Sequence, residues 1–126
     1  MSSWPVSRRL GIVLLVMLAC SMLSGCVGEQ PVQQRIEEGR TVFLSNCGRC
    51  HQMDGKGFEP IYPNLAGNPI VTLHDAAPAI EIVLNGSGGM PGFRDSLDPE
   101  ELAQVISYIR NSWGNNASAV SSTETR

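Results

Sequence analysis

The stretch Cys47-Gly48-Arg49-Cys50-His51 decides what kind of domain this chain forms. It is a C-x-x-C-H run, the pattern of a covalent c-type haem attachment site. Two thiols three positions apart can each form a thioether with one of the two vinyl groups of the same porphyrin. The imidazole of the adjacent histidine then lies close enough to bind the iron. The sequence therefore predicts one covalent haem c, with Cys47, Cys50 and His51 as cofactor-binding residues and His51 as a metal ligand.

Three other uses of such a cysteine pair remain open. A structural zinc ion needs four ligands, and after export only Cys26 and His74 could complete such a set. A thioredoxin-like dithiol needs a βαβ context, which the surrounding sequence does not supply. A disulfide between such close cysteines would close little chain. The histidine that follows the pair favours haem over all three alternatives.

The N-terminus has the pattern of an export signal. Arg8 and Arg9 precede an apolar run from Leu10 to Leu23, and a basic region followed by an apolar region and small residues is typical of a secretory signal peptide. The run is short for a transmembrane helix, which needs about 20 apolar residues. An uncleaved membrane anchor is the alternative interpretation.

The residues Leu23-Ser24-Gly25-Cys26 resemble the lipobox of bacterial lipoproteins. The resemblance implies cleavage before Cys26 and lipidation of its sulfur, and several acyl chains would hold the protein firmly at a membrane. We therefore expect a signal peptide over residues 1–25, a lipid-anchored tether over 26–31 and a bacterial periplasmic location. The sequence does not distinguish the inner from the outer membrane.

The charge of the exported chain argues against nucleic acid as a partner. Removal of residues 1–25 leaves 101 residues with seven basic and twelve acidic side chains, a net charge of −5. Proteins that bind nucleic acid carry a basic patch or stripe, and none is visible here. The length corresponds to one small domain.

Apolar periodicity predicts an all-α domain, because no segment alternates convincingly like a strand. Three segments have the pattern of an amphipathic helix: 32–46, 76–85 and 99–112. Asp75 is the expected N-cap of the second helix, and Asp98 is the expected N-cap of the third. Residues 114–126 are rich in Ser, Thr, Asn and Ala without an apolar period, which predicts a disordered tail.

Met90 is the best candidate for the second axial ligand of the iron. It lies between glycines and Pro91, which favours an irregular loop. Met53 stands too close to His51 to reach the opposite face of the ring easily. Bis-histidine ligation through His74 and ordinary core packing of Met90 are the alternatives. A thioether ligand raises the reduction potential and fills the sixth position, which favours electron transfer over oxygen or peroxide chemistry.

Residues 33–113 resemble the class I cytochrome c domains of bacterial respiratory chains. The matching pieces follow one another in the same order: Gly39 and Phe43, the C-x-x-C-H run, Pro63-Asn64-Leu65-Ala66-Gly67, Gly89-Met90-Pro91 and Tyr108-Ile109-Arg110. More narrowly, the stretch from Tyr108 to Asn115 is similar to cytochrome domains found with membrane-associated alcohol and sugar dehydrogenases.

The resemblance implies a small class I cytochrome c fold over residues 32–113, with three to five helices around the haem. The first and last helices would cross near Gly39, and the haem would lie between its two axial ligands, His51 and Met90. The backbone carbonyl of Pro63 would accept the ring N–H of the axial histidine. The side chain of Leu65 would pack on the haem.

These features predict an electron-transfer protein rather than an enzyme. It would shuttle electrons between periplasmic or membrane redox proteins, with a dehydrogenase as donor and an oxidase or reductase as acceptor. A dedicated electron-transfer subunit of a periplasmic dehydrogenase is one alternative. A haem sensor or enzyme with a labile sixth ligand is a second alternative, which carbon monoxide binding to the ferrous form would reveal.

Overall fold

The computed structural model describes residues 31–126, which form five helices and no β-sheet. The helices are α1 (Val32–Asn46), α2 (Gly48–His51), α3 (Pro69–Thr72), α4 (Ala77–Asn85) and α5 (Pro99–Asn111). The predicted all-α fold of three to five helices is confirmed. The predicted signal peptide, Cys26 and all of the tether except Pro31 lie outside the described residues. Within 31–126, no helix combines the length and the hydropathy needed to cross a membrane.

The two long helices, α1 and α5, cross at Gly39. A β-carbon at this position would lie 2.0 Å from the carbonyl oxygen of Gln104, so only glycine allows the α5 backbone to approach so closely. One turn further along α1, Phe43 is completely buried and packs into a core with Leu102 and Ile106 of α5. The predicted crossing is therefore present, and it organises the core.

The start of α5 has the capping arrangement that its sequence predicts. The carboxylate of Asp98 accepts hydrogen bonds from the backbone N–H groups of Glu100 and Glu101. The carboxylate of Glu101 accepts the backbone N–H of Asp98 in return. This capping box satisfies amide groups that have no partner within the helix, and Pro99 occupies the first turn, where it costs no hydrogen bond.

The helix α4 differs from its prediction at the N-terminus. Ala76 is the N-cap, whereas Asp75 lies one residue earlier and accepts the backbone N–H of Ala77 with its carboxylate. The carboxylate therefore forms a local turn before the helix instead of capping it. The short helices α2 and α3 are not predicted, because four residues are too few to show a helical period.

The tail over residues 114–126 packs on the core. Its contacts differ from those of the disordered segment that the composition predicts. Val120 is 1% exposed, and its backbone N–H donates to the Ser107 hydroxyl at 2.9 Å. The Thr125 hydroxyl donates to the Pro99 carbonyl at 2.7 Å. One apolar side chain and a few hydrogen bonds are enough to dock the segment, and a composition argument cannot detect them.

Two buried arginines connect the tail to the helices. The guanidinium of Arg110 is fully buried and donates to four backbone carbonyls, those of Val71, Leu73, His74 and Ser118. Burial lowers the pKa of Arg110, while the charges of Glu124 and Asp75 oppose that shift. Arg35 of α1 pairs with Glu100 at 3.3 Å and donates to the Val120 carbonyl at 3.3 Å. These contacts join α1, α5 and the tail.

Replacing Gly39 with alanine should destabilise the domain strongly. The new β-carbon would meet the Gln104 backbone, so α1 and α5 must separate, at a cost of about 3 kcal/mol. Chemical denaturation of the holoprotein measures the loss. Arg40→Ala, which changes the exposed neighbour on the same helix, should stay within about 0.5 kcal/mol of the wild type. Equal stability of the two variants would contradict the close crossing.

Shortening the buried tail residue should also lower the free energy of unfolding. Val120→Ala removes two methyl groups from a buried position, which costs about 2 kcal/mol. The same substitution at Val32, which is 55% exposed at the start of α1, is the matched control and should have little effect. If Val120→Ala were as stable as Val32→Ala in denaturant titrations, the tail would not be docked in solution.

Candidate functional site

Cys47 and Cys50 flank a single helical turn immediately after α1. Cys47 is both the C-cap of α1 and the N-cap of α2. Its carbonyl accepts the backbone N–H groups of Cys50 at 3.1 Å and of His51 at 3.0 Å. Because residues three apart in a helical turn lie on the same side, the two thiols are presented together. Both are free and only partly buried.

The properties of these thiols argue against the other uses of a cysteine pair. Burial raises the pKa of Cys47 to about 11, and the neighbouring Cys50 adds to the rise. A thioredoxin-like dithiol instead depends on a thiolate with a lowered pKa. The two sulfurs do not form a disulfide. Within residues 31–126, no group of three or more His, Cys, Asp or Glu side chains is placed so that it could hold a metal ion.

His51 ends α2 and is held by a backbone carbonyl. It is 8% exposed, and its Nδ1 lies 3.0 Å from the carbonyl oxygen of Pro63. A carbonyl oxygen can only accept, so Nδ1 carries the hydrogen and Nε2 keeps its lone pair. The imidazole is therefore fixed in the tautomer that can bind a metal through Nε2. The resemblance implied this contact between His51 and Pro63, and the geometry contains it.

Gly57 allows the Pro63 carbonyl to approach the imidazole. Its backbone N–H donates to the His51 carbonyl at 3.0 Å, and its φ is +62°. A β-carbon here would lie 2.2 Å from the carbonyl oxygen of Tyr62 and 2.6 Å from that of Pro63. Sequence reasoning does not single out Gly57, and its only sign in the sequence is the nearby glycine at position 55.

Met90 lies in the turn between α4 and α5, as the glycine-rich sequence predicts. It exchanges two backbone hydrogen bonds with Ser87, at 2.9 and 3.1 Å. Gly86 makes the turn possible, because a β-carbon there would lie 2.4 Å from the Met90 carbonyl oxygen. The side chains of Met90, Leu65 and Cys47 are all partly buried and pack against the same hydrophobic core. Each of these three predicted site residues, which come from separate segments, therefore borders the core.

His74, the alternative axial ligand, lies on the surface. Its side chain is exposed in the connection between α3 and α4. Its carbonyl accepts a hydrogen bond from Arg110 at 3.4 Å.

Three aromatic rings form a cluster where the end of α1 meets the end of α5. The ring of Phe43 lies 5.4 Å from that of Tyr108 and 5.1 Å from that of Trp113, centroid to centroid. The ring of Trp113 also meets that of Tyr108 edge to face at 5.5 Å, a favourable arrangement for aromatic pairs. The end of α1, which leads into Cys47, is thereby packed against the end of α5.

The donor set fits a covalently bound haem c. Two free thiols can form thioethers, Nε2 of His51 can bind iron, and Met90 offers a thioether from a separate loop. Several large apolar side chains between residues 44 and 73 also remain exposed. They are Leu44, Met53, Phe58, Ile61, Tyr62, Ile70 and Leu73. A porphyrin could cover part of this apolar surface.

A small helical domain with a C-x-x-C-H turn and a histidine held by a proline carbonyl is the architecture of a c-type cytochrome. Comparison with known families agrees, since the family described as cytochrome c oxidase, cbb3-type, subunit III matches residues 34–109. The chain belongs to this family of c-type cytochrome domains. Cytochrome c domains of this kind bind haem c covalently, one haem to the domain, so the predicted cofactor is confirmed.

Curated relatives include cytochrome subunits of dehydrogenases. The chain is 38% identical over 90 residues to the cytochrome c subunit of the quinone-dependent alcohol dehydrogenase of Gluconobacter oxydans, covering 63% of this chain and 19% of that subunit. It is 32% identical over 95 residues to the gluconate 2-dehydrogenase cytochrome c subunit of Pantoea cypripedii, covering 66% and 22%. Cytochrome c6 of Bryopsis maxima is 33% identical over 78 residues, covering 59% and 88%.

The match to dehydrogenase cytochromes confirms the narrower resemblance seen in the sequence. The chain nevertheless spans only about a fifth of the length of the dehydrogenase subunits. Their activities and partners therefore do not transfer to it directly. The assignment of individual residues to the haem also stays a prediction.

Replacing Gly57 with alanine should disturb the contact between Pro63 and His51. The new β-carbon would meet two backbone carbonyls, at a cost of about 3 kcal/mol including backbone strain. Gly67→Ala is the matched control, because Gly67 has a similar φ of +70° but nothing within 4 Å of its β-carbon position. The control should lose roughly 1 kcal/mol. Equal losses in thermal unfolding of the two holoproteins would contradict the crowding at Gly57.

Proposed function

We propose that this protein is an electron carrier with a single haem, held by thioethers from Cys47 and Cys50 and by axial bonds from His51 and Met90. The observation that carries the proposal is the hydrogen bond between His51 and Pro63 directly beside two free cysteines. It leaves Nε2 as the free nitrogen of an almost buried imidazole. An imidazole that binds iron through Nε2 needs this tautomer.

Each residue has a distinct task in this proposal. Cys47 and Cys50 hold the cofactor covalently, so it cannot dissociate during function. Pro63 fixes the ring of His51 and increases its basicity. Met90 binds through sulfur, a soft ligand that favours ferrous iron and raises the reduction potential. When bound, haem c supplies an iron that alternates between the ferric and ferrous states.

Methionine ligation also argues for electron transfer rather than turnover of a substrate. If His51 and Met90 both bind the iron, they would leave no position for oxygen or peroxide. The turn around Met90 is closed by its two hydrogen bonds with Ser87, which supports a stable ligand. A sensor or enzyme would instead need a position that opens readily.

We further propose that a dehydrogenase donates electrons to this protein and that an oxidase or reductase accepts them. The similarity to cytochrome c subunits of alcohol and gluconate dehydrogenases supports the donor class. The same similarity favours a second candidate, a dedicated subunit of one dehydrogenase. Stable co-purification with a dehydrogenase in mild detergent would support the dedicated subunit, since encounter complexes of shuttling carriers are small and short-lived.

The lipobox supports a periplasmic location with a membrane anchor. In this proposal the export signal ends at Gly25, Cys26 receives lipid, and the haem domain stays attached to the membrane through a short tether. Haem attachment after export is consistent with such a route. The acidic net charge argues against a nucleic-acid-binding role.

Met90→Ala tests the axial ligand directly. In the ferric wild type we expect the weak long-wavelength absorption band that reports methionine sulfur bound to iron. The variant should lose this band and should bind carbon monoxide when reduced, because the sixth position opens. Met53→Ala, at an exposed methionine, is the matched control and should keep the band. A band that persists in Met90→Ala would refute this ligand, and carbon monoxide binding by the wild type would favour the sensor.

Cys26→Ser tests the anchor. Because the lipid is attached to this sulfur, the variant should move almost entirely from the membrane fraction to the soluble periplasmic fraction. Cys20→Ser, within the predicted signal peptide, should leave the protein at the membrane. Immunoblots of fractionated cells measure the distribution. Membrane retention of the Cys26 variant would contradict lipidation at this residue.

A further inference from the structure

The chain reverses direction directly after α5 at a strained tryptophan. Trp113 has a φ of +55°, and the next residue, Gly114, has a φ of +89°. A bulky side chain rarely adopts the left-handed region. Such a conformation persists only where surrounding contacts fix it. The contacts of residues 113–115 therefore indicate what the reversal achieves.

Trp113 reaches the loop that directly follows His51. Its indole N–H donates to the carbonyl of Met53 at 2.9 Å. Its ring covers Gly55 so closely that a β-carbon there would lie 2.3 Å from Cε3 of the indole. The contacts hold the first residues after the proposed iron ligand against the end of α5.

Asn115 reaches the loop that directly follows Pro63. Its side chain is buried and donates to the Leu65 carbonyl at 3.1 Å and to the Ile109 carbonyl at 2.7 Å. Its side-chain oxygen accepts the backbone N–H of Gly67 at 2.7 Å. One amide group therefore joins the 65–67 segment to the last turn of α5.

The two loops are also bonded to each other. The Gly55 carbonyl accepts the backbone N–H of Leu65 at 2.7 Å and that of Ala66 at 3.2 Å. Together with Trp113 and Asn115 they form a closed set of contacts. Trp113 and Asn115 bind the carbonyls of Met53 and Leu65. His51 lies two residues before Met53, and Pro63 lies two residues before Leu65. The hydrogen bond between His51 and Pro63 thus depends on where the segment after α5 holds both loops.

We propose that Trp113 and Asn115 are positioning residues for the iron-binding histidine. They hold the Pro63 carbonyl against Nδ1 of His51 by fixing the loops that follow each of these two residues. The inference rests on the proposed function, in which Nε2 of His51 binds iron. A hydrogen bond to the outer nitrogen of a ligating imidazole fixes its orientation and raises its basicity.

The expected consequence of releasing either anchor concerns the imidazole itself. If the Pro63 carbonyl is held less firmly against His51, it protects the Nδ1 hydrogen less well from exchange with solvent. The imidazole also becomes a weaker donor to ferric iron, so the reduction potential should rise. Loss of a residue that only stabilised the domain would not speed the exchange of this hydrogen more than the exchange of other buried hydrogens.

The test uses the ferrous holoprotein with ¹⁵N-labelled histidine. The solvent-exchange rate of the His51 Nδ1 hydrogen is measured by NMR, together with the reduction potential. Asn115→Ala should speed this exchange by roughly tenfold, the effect of losing buried hydrogen bonds at one site. Trp113→Phe loses the bond to Met53 and, with its smaller ring, part of the cover on Gly55, but it keeps the three side-chain hydrogen bonds of Asn115, so its effect should be smaller. The potential should rise in the same order.

Asn116→Ala is the matched control, since Asn116 is the exposed neighbour of Asn115. It should change neither the exchange rate nor the potential. The backbone N–H of Ile106, buried in α5, reports general loosening. If Nδ1 exchange in the variants rose no more than exchange at Ile106, the positioning role would be refuted.

The two proposals fail in different ways. A wild-type spectrum without a histidine ligand on iron would refute the proposed function. A normal wild-type spectrum with unchanged Nδ1 exchange in both variants would refute only the positioning role. If Asn115→Ala yields no holoprotein, Trp113→Phe decides the question, because it removes a single hydrogen bond and retains an aromatic ring at this position.

Discussion

The close crossing of α1 and α5 at Gly39 is the constraint on which the rest of the structure depends. The C-x-x-C-H turn begins where α1 ends, and the segment with Trp113 and Asn115 begins where α5 ends. Because the crossing fixes the two helices against each other, it also fixes the relation between these two ends. The ring contacts of Phe43 with Tyr108 and Trp113 continue the same interface. A change at Gly39 would therefore disturb the site without touching a proposed ligand.

Some parts of the site are arranged by residues close together in the chain, and others by residues far apart in the chain. Cys47, Cys50 and His51 are arranged by one helical turn, which the local sequence encodes. The orientation of the imidazole depends instead on Pro63, twelve residues later, and the proposed sixth ligand comes from the turn before α5. The fold alone would be compatible with many functions. The donor set and its hydrogen bonds connect this fold with electron transfer, in agreement with the family to which the chain belongs.

The parts of the structure that could be predicted are those encoded by local patterns. The bounds of α1, the capping box at Asp98, the turn around Met90 and the glycine at the crossing all have signals within a few residues. The docking of Val120, the buried guanidinium of Arg110 and the anchoring role of Asn115 have no such signal, because their partners lie far away in the chain. The family resemblance provided two long-range relations, the crossing of the first and last helices near Gly39 and the contact between His51 and Pro63. Local reasoning interprets Pro63 only as part of a turn.

The most direct test of the account is the mass of the purified protein after expression in a bacterium that attaches haem c. The account predicts the mass of the processed polypeptide plus one haem. It also predicts that a proteolytic peptide containing Cys47, Cys50 and His51 carries the added mass. A peptide of unmodified mass, with both thiols open to alkylation despite competent haem-attachment machinery, would contradict the central claim.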